Sequence, residues 1–386
     1  AHIGVVSINC APACNLRCRH CFYGFTKPHQ HSLVSGDWPK IIDGFVDLGV
    51  THFHISGREP LTSSVTFDVL EYLRSVSSER HLEYGLITNG LLVDELAPQL
   101  AQANLQYLDF SIDGEENEHD FIRGLGVFKK VLSNLNLARS RQLAKRLFVS
   151  SVIHENNWAS VARLIQYLSH NVGVRHFFVQ PLLIHGRATD LAMLEITATK
   201  YADFVAMIVR DLENQSIAQG SSVVMLVPQQ YLPGMLAESS TVSHAFFQYL
   251  DTYSSIVPVG GSQVAFRFHL TCLAFWRTVQ ITPDGYYLGC CMPLSSARYW
   301  EYAIGNVKEE AVDALYRKSL EPNGPLGLFY DEGIVSDCKE QSCFRQCFGG
   351  CRTFTHIRTN RWTGPHPSCQ ERSDNKEFRR TPHYEE

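Results

Sequence analysis

Six times between residues 3 and 181 a short β-branched run recurs, a few tens of residues apart, with amphipathic stretches in between. The runs at 3–9, 50–56, 82–88, 105–112, 147–153 and 174–181 read as strands. The stretches at 38–48, 65–75, 94–103, 127–141 and 158–170 carry the apolar spacing of helices. Strand alternating with helix builds a parallel sheet with right-handed crossovers, so the expected class is α/β. Periodicity alone does not choose between a doubly wound sheet and an open, partial barrel. The polar and glycine-rich segments SINCAPAC, HISGREP, GLITNG, FSIDG, VIHENN and FVQPL all follow the C-terminal end of a strand. In either architecture that end binds ligands, so one face of the body is the candidate active site.

With 386 residues, 45% of them hydrophobic, the chain has enough material for one large barrel or for a large and a small domain. A net charge of −5 gives no pull toward nucleic acid or an anionic membrane. No apolar run is long enough to span a bilayer, and no signal peptide is visible, so the expected location is cytoplasmic.

Cysteine placement is the least random feature. Four of the 12 cysteines fall at 10, 14, 18 and 21, and the other eight lie from Cys272 onward. Tight spacing without a signal peptide favours metal or cluster binding over disulfides. Iron–sulfur is the leading reading, with zinc and disulfides as alternatives. Cys14, Cys18 and Cys21 form CxxxCxxC just after the first strand, followed by Phe22 and Tyr23. Three thiolates on a four-iron cube leave one iron open for a cofactor. Cys10, at the end of the strand, reads first as a small buried hydrophobe.

This motif, in this place, resembles the signature of the radical S-adenosylmethionine (SAM) enzymes. Further positions match one at a time. Ser56-Gly57-Arg58-Glu59-Pro60 resembles the family's GGEP turn, with Arg58 in place of the second glycine. The resemblance implies that Gly57 lets the backbone approach SAM and that Glu59 accepts from its ammonium; the plainer alternative is a strand-to-helix turn with a capping acid. Ser111 and Asp113 in FSIDG resemble the pair that reaches the ribose or the methionine carboxylate, and Arg123 would pair with a carboxylate. Asn89 and Gln180 are weaker cofactor candidates.

The second patch, Cys272, Cys290, Cys338, Cys343, Cys347, Cys351 and Cys369, resembles a SPASM domain with two auxiliary clusters. Carried over, Cys272, Cys290 and Cys351 hold the inner cluster, and Cys338, Cys343, Cys347 and Cys369 the outer. The central spacing is Cx4Cx3CxxxC where the family has CxxCx5CxxxC. Where some relatives place a fourth inner ligand this chain has Thr278; either Cys291 completes the set or an iron stays open for substrate.

The resemblance therefore implies a partial (β/α)6 TIM-like barrel over 1–218, a bridging segment over 219–265, a Cys-rich SPASM domain over 266–375 and a tail over 376–386. It implies three [4Fe–4S] clusters, SAM, and an electron donor such as flavodoxin or ferredoxin. The expected reaction is SAM cleavage to a 5′-deoxyadenosyl radical, hydrogen abstraction from a substrate C–H bond, and a net oxidation. Crosslinking of a ribosomally made precursor peptide is preferred, with the peptide-recognition domain missing, trimmed or supplied by a separate protein. Dehydrogenation of an aminocyclitol or sugar, formylglycine formation of the sulfatase-maturing kind, and epimerisation are the enzymatic alternatives. For the last, Cys10 or Cys291 would be the hydrogen donor. An electron-transfer protein is the non-enzymatic alternative, disfavoured by the open-iron triad.

Overall fold

The computed structural model describes residues 3–24, 31–227, 254–268, 277–321 and 351–361. Each of the six expected strands forms: β1 (Val5–Asn9), β2 (His52–Ser56), β3 (Glu83–Thr88), β4 (Leu105–Ser111), β5 (Ala144–Ile153) and β6 (His176–Pro181). They pair in chain order and are all parallel. This is the α/β fold of an open barrel, with helices α1 (Trp38–Asp47), α2 (Ser64–Arg80), α3 (Ala97–Gln102), α4 (Glu116–Arg123), α5 (Val127–Ser140), α6 (Trp158–Tyr167) and α7 (Ala198–Glu213) in the connections.

The period-2 alternation divides the sheet into two faces. Val6, Ile8, Phe53, Ile55, Tyr84, Leu86, Leu108, Phe110, Val149, Phe177 and Val179 are buried in one core with the helices. In α1, Trp38, Ile41, Ile42 and Phe45 complete the same layer, each contributing roughly 1.5–3 kcal/mol of burial. Positions of the opposite parity carry Ser7, Asn9, His54, Ser56, Asp109, Ser111, Ser150 and Gln180, a polar lining suited to a ligand.

The sheet does not stop at β6. β7 (Ser222–Val227) adds in parallel, followed by the antiparallel hairpin β8 (Ser254–Val259) and β9 (Ser262–Phe268), turned by Gly260-Gly261 at φ of 54° and 81°. At the other edge β10 (Thr278–Ile281) pairs in parallel with β1, and β11 (Tyr287–Leu288) closes antiparallel on β10. The described strands make one 11-stranded sheet. Helix α4 was not expected between β4 and α5. It is short, ends at Gly124 with φ 125°, and leads into α5, whose first backbone N–H groups are met by the Asp120 carboxylate. Helix α6 ends earlier than its pattern suggests and runs into a π turn over Leu168–Val172. Beyond the sheet, α8 (Val312–Ser319) packs on α1, and α9 (Arg352–Thr359) follows Cys351. Among the described residues no helix is long and apolar enough to cross a membrane.

Candidate active site

The loop after β1 carries Cys14, Cys18 and Cys21, and it is tied to several elements at once. Ala13 O accepts from Glu59 N at 3.2 Å and from Thr62 Oγ1 at 3.3 Å. Arg19 N donates to Ile122 O, Arg187 N to Cys21 O, and Gly24 N to Leu294 O, each at 2.9 Å. Gly186 allows one close approach: at φ 52° its backbone lies where a Cβ would be 2.3 Å from Phe22 O. A loop held from several sides keeps its thiols in place without a ligand.

The three sulfurs are close enough to repel one another when ionised. Burial pushes the Cys18 thiol up to about 11, with the Arg123 charge pulling it back. Leu16 N and Asn89 Nδ2 point at Cys14 Sγ, at 3.3 and 3.9 Å. Among the described residues no group of three His, Cys, Asp or Glu closes to single-ion distance. The triad's fit is therefore judged on its donor chemistry: three thiols with N–H donors turned toward sulfur suit an iron–sulfur cluster, whose ligands must be deprotonated.

Gly57 has φ 120°, and a Cβ there would lie 2.1 Å from Asn9 Oδ1. That oxygen is buried without a hydrogen-bond partner among the described residues. A bare turn facing an orphaned acceptor is a cradle for a polar ligand group. Glu59 lies two residues on. Its carboxylate is 1% exposed; Oε1 accepts from Thr88 Oγ1 at 2.7 Å and Leu61 N at 3.1 Å, and Oε2 accepts from Asn89 N at 2.7 Å. It caps the Pro60–Thr62 turn, as the plainer alternative expects, and Oε2, with one donor among the described residues, keeps a lone pair for a further one. Glu59→Gln, which sets an amide donor against these donors, is expected to cost about 1–3 kcal/mol, read as a lower urea midpoint at unchanged slope. Asn89, besides meeting Glu59, donates to Asn15 Oδ1 at 2.7 Å and so joins β3 to the cysteine loop.

Asp113 is also committed internally. It is fully buried; Oδ2 meets Arg123 Nε at 2.6 Å and His20 Nε2 at 3.3 Å, while Oδ1 accepts from Val152 N at 2.9 Å. Its N–H donates to His119 Nδ1, and its carbonyl accepts from Asn157 Nδ2. The Arg123 and His20 charges hold its carboxyl well below the usual range against the cost of burial. Asp113, expected to reach a ribose or a carboxylate, is here one half of a buried ion pair. Arg123 finds its carboxylate in Asp113, uses Nε for it, and stays within electrostatic reach of Cys18. Ser111 and Gln180 lie half-buried on the polar face.

Phe22 and Tyr23, the aromatic pair after the motif, pack toward the chain near β11. Tyr23 is buried with Leu288, Leu294 and Tyr299, and Phe22 lies against that cluster. The Tyr23 hydroxyl accepts from Asn9 Nδ2 at 3.2 Å, and the Arg58 guanidinium lies 5.3 Å from its ring centroid. The aromatic pair therefore glues the cysteine loop to the chain after β11. Cys10 is a core thiol on the helix face, 3% exposed and 3.2 Å from Thr66 Oγ1, with its pKa raised to about 11 by burial. Cys291, at the start of the Met292–Ser295 turn, lies within electrostatic reach of Cys351. Cys290 is partly buried against the main core, and the Thr278 hydroxyl donates to Gly289 O at 2.8 Å. Cys272, Cys338, Cys343, Cys347 and Cys369 lie outside the described residues.

Sequence reasoning passes over Thr88, Asp109, His119 and Asn157. For Asp109 a signal existed, an acid at a position whose parity in LDFS puts it on the polar face of β4.

Residues 8–168 match the family model of the radical SAM superfamily, and residues 272–349 match that of the SPASM iron–sulfur cluster-binding domain. The chain is similar to a GTP 3′,8-cyclase of Thermodesulfovibrio yellowstonii, 31% identical over 37% of this chain and 45% of the relative. It is similar to an AdoMet-dependent heme synthase of Methanosarcina barkeri, 29% identical over 46% and 50%. In both, the match spans about half of the relative's length. A PqqA peptide cyclase of Rhizobium meliloti is 23% identical over 88% of this chain and 79% of its own. Among solved structures, Streptococcus suis SuiB bound to its precursor peptide SuiA superposes with a TM-score of 0.69 at 17% identity, covering 96% of this chain and 76% of that one. Native anSMEcpe with bound AdoMet gives 0.65 at 18% identity, covering 97% and 96%. These two likenesses speak to the fold.

Proposed function

Because the chain belongs to the radical SAM superfamily and carries a SPASM iron–sulfur cluster-binding domain, we propose that it modifies a peptide oxidatively, by crosslinking a ribosomally made precursor. The observation that carries this reading is the similarity to a PqqA peptide cyclase along 88% of the chain, reinforced by a precursor peptide bound in a structure of the same fold.

Cys14, Cys18 and Cys21 would hold the cluster that engages SAM, and Cys290, Cys351 and Cys291 would contribute to an auxiliary cluster beside the Met292–Ser295 turn. When bound, the SAM-engaging cluster supplies hydrogen abstraction from an unactivated C–H bond. The protein's own part is positional. Glu59 fixes the turn so that Gly57 and Arg58 offer backbone at the mouth of the sheet. Arg123, anchored on Asp113, places a fixed positive charge near Cys18 and would favour an anionic cofactor group there. The polar face of β1–β6, ending at these loops, would receive the substrate away from bulk water.

Expressing the chain with a short panel of candidate precursor peptides tests this. A product lighter by one hydrogen pair, whose fragmentation is interrupted between two residues, is the expected result. Unchanged peptides from a fully iron-loaded enzyme that oxidises aminocyclitols instead would replace the reading.

A further inference from the structure

Asp109 on β4 is a buried acid that the site described above does not use. It is 8% exposed, and its Oδ2 accepts from Ser150 Oγ at 2.6 Å. Oδ1 is buried and has no hydrogen-bond partner among the described residues. No cation pairs with it among those residues: Arg123, whose charge reaches it, already holds Asp113. An ionised carboxylate in that position is uncompensated, so it either takes a proton or receives a partner from outside the fold. Burial raises its pKa to about 7, which leaves it balanced between those two states at neutral pH.

Its surroundings point to what that partner is. One residue pair below Asp109 on the same face, Tyr107 reaches over β3 to hydrogen-bond His54. It does so across Gly85, where a Cβ would lie 2.4 Å from the Tyr107 ring. Tyr107 packs edge-on to Phe148 at 5.6 Å, and Phe148 stacks on His176 at 4.7 Å. His54, Tyr107, Phe148 and His176 thus form an aromatic layer across β2, β4, β5 and β6. Asp109 stands one step from that layer toward the strand ends that carry the cysteine loop. A free carboxylate oxygen beside aromatic rings suits a cation, through charge pairing and contact with the ring faces.

We propose that Asp109 is a specificity-determining residue of the barrel interior, whose free carboxylate oxygen receives a cationic side chain of the substrate, an ammonium or a guanidinium. The assignment rests on the peptide reading for the identity of the cation's carrier and not for the cation itself. Ser150 holds the carboxylate in place, and the aromatic layer lies one residue pair below it on the same face.

Two measurements on the reconstituted holoenzyme test it. In the first, 5′-deoxyadenosine release is compared between two random-sequence peptide pools that differ only in Lys and Arg or Gln at the variable cationic positions. Wild type is expected to prefer the cationic pool, and Asp109→Asn to lose that preference by about tenfold or more, as when one partner of a buried charge pair is removed. Asp109→Glu, which keeps the charge, is expected to retain part of it. In the second, infrared difference spectra follow the protonated carboxyl band, assigned by its loss in Asp109→Asn or its displacement in Asp109→Glu, while propylammonium is added as probe. The band is expected to disappear as the probe binds. A band that responds while neither pool stimulates the enzyme upholds the cation site and removes the peptide as its carrier. A band unmoved at saturating propylammonium, or an Asp109→Asn enzyme that keeps the wild-type preference, overturns the proposal.

Discussion

Cys18→Ala is expected to reduce SAM cleavage to background and to remove one cluster's share of iron and sulfide, leaving the absorbance of any auxiliary cluster in place. Of the three loop thiols, Cys18 sits midway along the motif and lies within electrostatic reach of Arg123, Asp113 and both other cysteines. With three thiolates for a four-iron group, loss of one leaves two irons without a protein ligand, and no other cysteine of the described residues can take its place. Cys10 faces Thr66 in the core, and Cys290, Cys291 and Cys351 belong to the other patch. The loop itself should survive, since its ties run through Ala13, Arg19, Cys21 and Gly24 backbone atoms rather than through Cys18 Sγ. Near-wild-type melting with a lost cluster is therefore the expected pair of readouts. Full iron content and undiminished SAM cleavage in Cys18→Ala would remove the triad from the account.

The second large effect concerns stability. Asp113→Asn leaves Arg123 as a buried, uncompensated cation and is expected to cost about 3–5 kcal/mol, or roughly 4–6 °C in melting temperature for a chain of this size. Asp113→Asn with Arg123→Gln should recover part of that loss, because the double change removes the stranded charge along with its partner. The dependence on pH has a definite sign. Asp113 has a folded pKa below its unfolded value of about 3.9, so its contribution is complete above that value and is lost as pH falls through the folded one. His119 is pushed the same way by burial, to about 4. The unfolded chain therefore binds its proton first, and stability held above about pH 6.5 declines as pH falls toward 4. His154, also lowered by burial, adds to that decline. Asp109, whose folded pKa burial raises, binds its proton first in the folded state and acts with the opposite sign as pH falls. Urea titrations of Asp109→Asn, which lacks that opposing uptake, should therefore show a loss beginning near pH 6.5, before Asp113 itself is protonated. A flat profile from pH 7 to pH 4 would contradict the buried, neutral state of these histidines.

Much of this architecture can be read from the chain because β1 to β6 and their helices obey simple periods. The strand that ends in VVSIN and the helix that begins at Trp38 bury alternate and helical positions respectively, and nothing distant is needed to see it. The cysteine loop is legible for a different reason, since three ligands to one group must lie close in sequence or be brought together by the fold, and here they lie close. What stays hidden depends on partners far along the chain. Glu59 is recruited by Thr88 and Asn89, and Asp113 by Val152 and Asn157, so acids that read as ligands also hold the scaffold. Tyr23 is drawn away by Leu288, Leu294 and Tyr299, more than 260 positions later. Strands β7 to β9 escape notice because their signal is broken by Pro258 and the Gly260-Gly261 turn, and only pairing gives them a place, β7 on β6, β9 on β7 and β8 on β9. Helix α4 escapes because it has 8 residues and stops at a glycine.

The central claim is most directly tested by measuring 5′-deoxyadenosine release from anaerobically reconstituted, chemically reduced protein, with and without candidate precursor peptides. SAM cleavage that rises when a peptide is accepted, and that is absent from Cys18→Ala under the same reduction, is the expected result. A fully iron-loaded wild type that cleaves no SAM under any of these conditions would contradict it.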